Sequence, residues 1–361
     1  MSSRTKAVVG AIVLTGLGVT GQTAITAAEA NHGSHRESTG SGPESRHSDR
    51  HSVIVWNRVL RDGSAARIMI GGPGGRWKRE VTHSSDGVYD LDPELSPDGR
   101  RILFERDYPD GSTRIVVMGI DGRGKRVLDL GCVDPCVGDQ APSWTPDGRH
   151  VVWTRLVGPF DQPNESARSA VLWVSDLRGR HIRRLSPPGI DGIFEEYHAE
   201  FGPSGDMVLV RIRNSDIKAT IIRRSLDGER QTRLTRWSLG GDLPDISPTR
   251  RGPSRDLVVF ETYGTGAPDG VAPAIATVPA DCHSTRDCAD EIRYLTSPHA
   301  WPAEHFNPAW SPDGRRIVFA RFTPEPTLDI FTMRWNGTDR ERVTRAPAFD
   351  FRPDWGPSPS R

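Results

Sequence analysis

The sequence predicts an all-β fold, a six-bladed β-propeller of four-stranded antiparallel blades in which the C-terminal strand closes the first blade. Three observations carry that expectation. One turn motif recurs, β-rich runs without helical period follow each copy, and the two ends of the repeat region each lack what the other supplies. The copies are "PELSPDG" (93–99), "PSWTPDG" (142–148), "AEFGPSG" (199–205), "PDISPTR" (244–250), "PAWSPDG" (308–314) and "PDWGP" (353–357). Successive copies lie about 45 to 64 residues apart, the period of a propeller or another array.

Each copy opens its blade in the same way. An aromatic or aliphatic residue precedes Ser-Pro-Asp-Gly, where Pro presets the turn dihedral and Gly closes it. A second run follows: "RILFER", "HVVWTR", "MVLVRI", "LVVFET" and "RIVFAR". A third comes next: "RIVVMGI", "VLWVSDL", "TIIRRSL", "AIATVPA" and "DIFTMRW". Asp121-Gly122, Asp227-Gly228 and Asn336-Gly337 then mark hairpins of the primed-turn kind. A short fourth run ends in forms such as "RRLS", "TRLT" and "ERVT". Four short β runs per repeat describe a propeller blade. The runs are almost continuously apolar because a blade is covered on both faces by its neighbours.

The ends of the repeat region complete each other. "SVIVWN" (52–57), "ARIMIGG" (66–72) and "KREVTH" (78–83) read as three outer strands with no innermost strand before them. "DFRPDWGP" (350–357) reads as an innermost strand with no blade after it. Joining them closes the ring and removes exposed sheet edges. The propeller then spans 52–357, with a short tail at 358–361.

Residues 1–30 read as a secretory signal peptide: "SSRTK" gives a positive start, "AVVGAIVLTGLGV" an apolar run and "AEA" a cleavage site. Residues 31–51 contain no large apolar residue and read as a disordered linker. The expected mature chain is therefore exported, secreted or associated with the cell envelope, without a transmembrane segment, and monomeric. Formal charge balances at pH 7. The basic residues are mostly Arg, scattered without a dense block, which argues against a nucleic-acid partner.

Candidate site residues come from the positions flanking the first residue of each motif copy, where the innermost strand begins at the mouth of the central channel. One place after it stand Glu94, Glu200, Asp245 and Asp354, which read as a metal set for a divalent cation such as calcium, because hard cations favour carboxylate oxygens. One and three places before it stand Asp90, Asp92, Asp139, Glu196, His198, His305, Asp350 and Arg352, which read as a pocket for a cationic or polyhydroxylated ligand. The same residues could instead cap turns, bond neighbouring blades or pair with Arg352. The repeated aromatics Trp144, Phe201, Trp310 and Trp355 read as inter-blade core.

The four cysteines fall in two tight clusters, "CVDPC" (132–136) and "CHSTRDC" (282–288). In an exported chain they predict disulfides Cys132–Cys136 and Cys282–Cys288. The clusters lie on loops of opposite faces, which disfavours a shared zinc site. Three long insertions, at 157–168, 186–198 and 263–273, leave on the face of the channel mouth.

The "P-x-W-S-P-D-G-R-R-I-V-F" stretches resemble the TolB-type β-propeller repeat, a relative in architecture of the WD-repeat blade. The resemblance is specific in three copies, weaker in three, and covers about 52–357. It implies a non-catalytic exported module that binds or scaffolds a protein, glycan or small ligand. The alternative is a metal-dependent hydrolase or lyase with its site at the channel mouth. Ser, metalloprotease, phosphate-loop and dinucleotide motifs are missing, so no catalytic residue is assigned.

Overall fold

The computed structural model describes residues 51–158, 169–262, 273–297, 305–325 and 327–359. The signal-peptide and linker expectations, most of the insertion at 157–168 and almost all of that at 263–273 lie outside them. Among the described residues the strands fall into antiparallel groups of four. The first group joins both ends of the chain: β1 (Ser52–Val59), β2 (Ala66–Gly71) and β3 (Lys78–Glu80) follow one another, and β24 (Phe349–Pro357) pairs with β1. The second is β4 (Tyr89–Leu95), β5 (Arg101–Asp107), β6 (Thr113–Gly119) and β7 (Arg126–Val127). The third is β8 (Cys136–Trp144), β9 (His150–Val157), β10 (Ser169–Asp176) and β11 (Arg183–Arg184).

The remaining three groups repeat the order. They are β12 (Phe194–Phe201) to β15 (Gln231–Arg233) through β13 (Met207–Arg213) and β14 (Lys218–Arg224), then β16 (Gly241–Ile246), β17 (Leu257–Thr262), β18 (Ala274–Pro279) and β19 (Arg293–Tyr294), then β20 (His305–Trp310), β21 (Arg316–Phe322), β22 (Leu328–Arg334) and β23 (Glu341–Arg342). A short helix, α1 (Thr285–Glu291), sits between β18 and β19. Single parallel bridges, such as Ala66 to Tyr89, Thr113 to Gly138 and Leu328 to Phe349, link four of the groups into one 16-stranded mixed sheet. The other two stand as separate four-stranded sheets.

Strand alternation explains the apolar runs. Along β5, Leu103 packs toward Trp144, Val151 and Trp153 of the next group, while Ile102 and Phe104 pack toward Val55, Ile68 and Ile70 of the previous one. Every apolar cluster draws mainly on consecutive groups in this way. The cluster holding Trp355, Phe351 and Trp56 also contains Val318, Ala320 and Ile330, and so joins the last group to the first. Trp144, Phe201, Trp310 and Trp355 each lie at such a contact. The fourth strands are only two or three residues long and all six carry Arg, which limits edge-to-edge pairing.

The turns follow their sequence chemistry. In Ser96-Pro-Asp-Gly the Gly99 amide donates to the Ser96 carbonyl at 2.7 Å, and Ser96 Oγ and the Arg100 amide both donate to Asp98 Oδ1. The same side-chain clasp recurs at Thr145–Asp147 and Ser311–Asp313. The third hairpins differ from the primed-turn expectation. Gly122, Gly228 and Gly337 have positive φ, but the preceding Asp121, Asp227 and Asn336 do not. Each Gly amide instead closes a turn on the residue three before it, so the left-handed residue follows the turn. At Gly179, φ +71°, an added Cβ would lie 1.9 Å from the Asp129 carbonyl oxygen of the neighbouring group, so glycine is required for both conformation and contact.

Cys132 and Cys136 form the expected disulfide. Cys282 and Cys288, the second expected pair, stand in this structure as two neighbouring thiols. The helical turn of α1 carries Cys288 into the core, where it is a buried thiol, while the Cys282 S–H donates to the Pro279 carbonyl at 3.0 Å.

Candidate functional site at the channel mouth

One backbone distortion recurs in every innermost strand. Asp92, Ala141, His198, Leu243, Asn307 and Arg352 all have φ between 46° and 53°. Each marks a shift in pairing register with the second strand, a β-bulge. A left-handed non-glycine residue costs roughly 1–2 kcal/mol, so each group holds one strained position at the same place in its first strand. The bulge frees backbone amides from the ladder and turns them to side chains. Ala141 N donates to Glu105 Oε2 at 2.8 Å, Asn307 N to Glu261 Oε2 at 2.9 Å and Arg352 N to Asn307 Oδ1 at 3.2 Å.

The six bulge residues and, except for Ser143, the residues two places on line a cavity of about 80 Å³. Asp92, His198 and Arg352 contribute to its wall, as do all four acids of the expected metal set, Glu94, Glu200, Asp245 and Asp354. The rest of the expected ligand set stands behind the wall. Asp90 is bound by Arg106 at 2.6 and 2.9 Å, Asp139 by Arg155 at 2.8 and 3.0 Å, and Asp350 by Arg58 at 2.6 and 2.8 Å. Glu196 is held between Arg211 and Arg224. These acids face their arginines across the first two strands of a group, and His305 faces Arg321 in the same register. The charge of these acids is neutralised inside the group, and neither they nor His305 line the cavity.

Two layers of charge remain. Around Arg352 lie Asp92, Asp242, Glu105 and Glu261. Burial works against the charged guanidinium, but these four carboxylates outweigh it and raise the Arg352 pKa. Arg352 Nε approaches Asp92 Oδ1 at 3.3 Å, and its Nη1 lies 3.5 Å from His198 Nε2. Sequence reasoning missed Glu105, Asp242 and Glu261. The signal was present in "LFERD" and "VFET", where an acid interrupts a run otherwise covered on both faces.

The second layer is Glu94, Glu200, Asp245 and Asp354. Burial, then mutual repulsion, pushes Glu94 and Glu200 well above the ordinary carboxylate range. Burial likewise raises Asp245 to about 7 and Asp354 to about 6. Two of the four also join neighbouring groups: Asp245 Oδ2 accepts from the Trp310 amide at 2.6 Å, and Asp354 Oδ2 from the Leu95 amide at 2.7 Å. Their oxygens do not converge as a metal cage. Among the described residues, ligand atoms of three His, Cys, Asp or Glu come within 4.8 Å of one another only at Cys132, Cys136 and Asp139, where two are the disulfide.

Raised carboxyl pKa values have a thermodynamic consequence. These acids hold protons in the folded chain at pH values where the unfolded chain has released them, so their contribution is present below about pH 4 and lost as pH rises through about 6 to 7. Carboxylates with lowered pKa, such as Asp176 at about 2, act in the opposite direction only in strong acid. The melting temperature is expected to fall between pH 5 and pH 8. In a Glu200→Gln/Asp245→Asn variant that slope should flatten; an unchanged slope would remove these acids from the titration.

No protein-family model matches the chain, and no curated protein matches it in sequence. Solved structures do resemble it. TolB from Acinetobacter baumannii shares 17% identity with a TM-score of 0.62, over 84% of this chain and 66% of that one. A structure assigned as TolB from Agrobacterium tumefaciens gives 17% and 0.57, over 86% and 99%. Hydrazine synthase from Kuenenia stuttgartiensis gives 13% and 0.64, over 90% of this chain and 51% of that one. At these identities the likeness is one of fold, and the fold is that of the TolB-like propellers. Among the described residues no helix is long and apolar enough to cross a membrane.

Proposed function

We propose that the chain is an exported six-bladed propeller, closed by its C-terminal strand, that binds its ligand without transforming it. The ligand presents a cationic group, such as an arginine or lysine side chain of a protein partner, to the channel mouth. One observation carries this reading: Glu94, Glu200, Asp245 and Asp354 line the cavity, while the nearest strong cation, Arg352, is already engaged by four other carboxylates. Blade closure is supported by the β1–β24 ladder and by the apolar cluster shared between the last and first groups. The disulfide supports an oxidising, exported setting. Titration of the chain with a capped arginine, N-acetyl-arginine amide, tests the reading.

A further inference from the structure

We propose that Cys282 and Cys288 form a thiol–disulfide exchange site, with Cys282 the attacking thiol and Cys288 the resolving one, whose oxidant is a glutathione-type or dithiol-derived disulfide. The two side chains already touch: the Cys282 sulfur hydrogen-bonds the Cys288 side chain as well as the Pro279 carbonyl. They differ in access. Cys282 is partly exposed, whereas Cys288 has no exposed surface and packs with Val278 and Ala280. The Cys288 amide bonds the Ser284 carbonyl at 3.0 Å, so α1 holds the buried thiol against the accessible one. Neither cysteine lines the channel cavity, so this site is independent of the ligand-binding reading.

The exchange balances as follows. Cys282 releases its proton, and the thiolate attacks one sulfur of the oxidant's S–S bond and expels the other as a thiol. Cys288 then releases its proton and displaces the remaining oxidant sulfur from Cys282. The protein loses two S–H bonds and two electrons and gains one S–S bond; the oxidant takes up both electrons and two protons to become two thiols. Burial raises the Cys282 pKa, the Cys288 hydrogen bond lowers it, and Asp281 and Glu291 raise it again. The thiolate is therefore scarce near neutral pH, and the exchange should quicken as the buffer is made more alkaline.

The test uses the full chain in oxidised glutathione, followed by alkylation and peptide mass analysis. The wild-type protein is expected to form Cys282–Cys288 without a lasting adduct. Cys288→Ser and Cys288→Ala should each retain one glutathionyl group on Cys282. Cys282→Ser should leave Cys288 unmodified for as long as the chain is folded. Melting curves of each variant establish folding, and the alanine variant preserves the apolar packing if serine does not. Modification of Cys288 in folded Cys282→Ser, a stable mixed disulfide in the wild type, or a wild-type pair that stays reduced under conditions that oxidise the unfolded chain would each overturn the proposal.

Discussion

A chain ending at Arg352 is expected not to fold. It loses Pro353 to Pro357 from β24, and with them the pairs Ser52–Pro357, Val53–Gly356, Ile54–Trp355 and Val55–Asp354. Trp355 is buried in the cluster joining the last group to the first, and its Nε1 donates to Ser52 Oγ at 3.0 Å. Removing a buried Trp side chain costs about 3–5 kcal/mol. The Leu95 amide, which donates to Asp354, loses its acceptor at about 1–3 kcal/mol more. Together with the lost ladder these approach the whole stability of an ordinary domain, about 5–15 kcal/mol. Expression should yield aggregate, or a soluble product with no cooperative melting transition. Deletion of residues 31–50, by contrast, should leave the melting curve in place. A truncated chain that melts like the intact one would refute closure by the C-terminal strand.

Arg352→Ala is expected to destabilise the chain by about 3–5 kcal/mol, the usual result of removing one partner from a buried charge cluster. The substitution leaves Asp92, Asp242, Glu105 and Glu261 without their shared cation. Burial already raises Asp242 and Glu105, and the loss of Arg352 raises them further. The deficit should consequently be larger at pH 8 than at pH 5, where protonation relieves the repulsion. Arg352→Lys keeps the charge and should recover part of the loss. Chelators should leave the wild-type melting curve unchanged, because Arg352 and protons compensate the acids. A chelator-induced fall restored by calcium would transfer that role to a bound ion.

Much of the fold was legible because one turn is written repeatedly. Pro and Gly in Ser-Pro-Asp-Gly fix local dihedrals, and the β runs between turns have no helical reading. The flanking positions also pointed to the channel: Asp92, Glu94, His198, Glu200, Asp245, Arg352 and Asp354 all line it. The positions one step further out did not, for a reason the linear pattern hides. Asp90 and Arg106 are separated by a turn, and their pairing depends on the bulge at Asp92, which resets the register between β4 and β5. Glu105 and Glu261 were passed over because they sit in second strands, where alternation alone assigns residues to the inter-group core. Cys282 and Cys288 have a spacing that fits a local bridge, but the linear pattern does not show α1, which buries Cys288 and leaves Cys282 the accessible thiol of the two.

The central claim, that the acidic channel mouth receives a cation, is tested most directly by calorimetric titration of N-acetyl-arginine amide into the wild-type chain and into Glu200→Gln/Asp245→Asn. The account predicts saturable one-to-one binding to the wild type, with a dissociation constant of about 1 mM or below, equivalent to about −4 kcal/mol. Affinity should strengthen as pH rises through about 6 to 7, where Asp354 and Asp245 ionise. The double variant, still folded by its melting curve, should bind at least about tenfold more weakly, a loss of roughly 1.4 kcal/mol. Equal binding by both proteins, or no heat of binding to the wild type at any pH between 5 and 8, would contradict the claim.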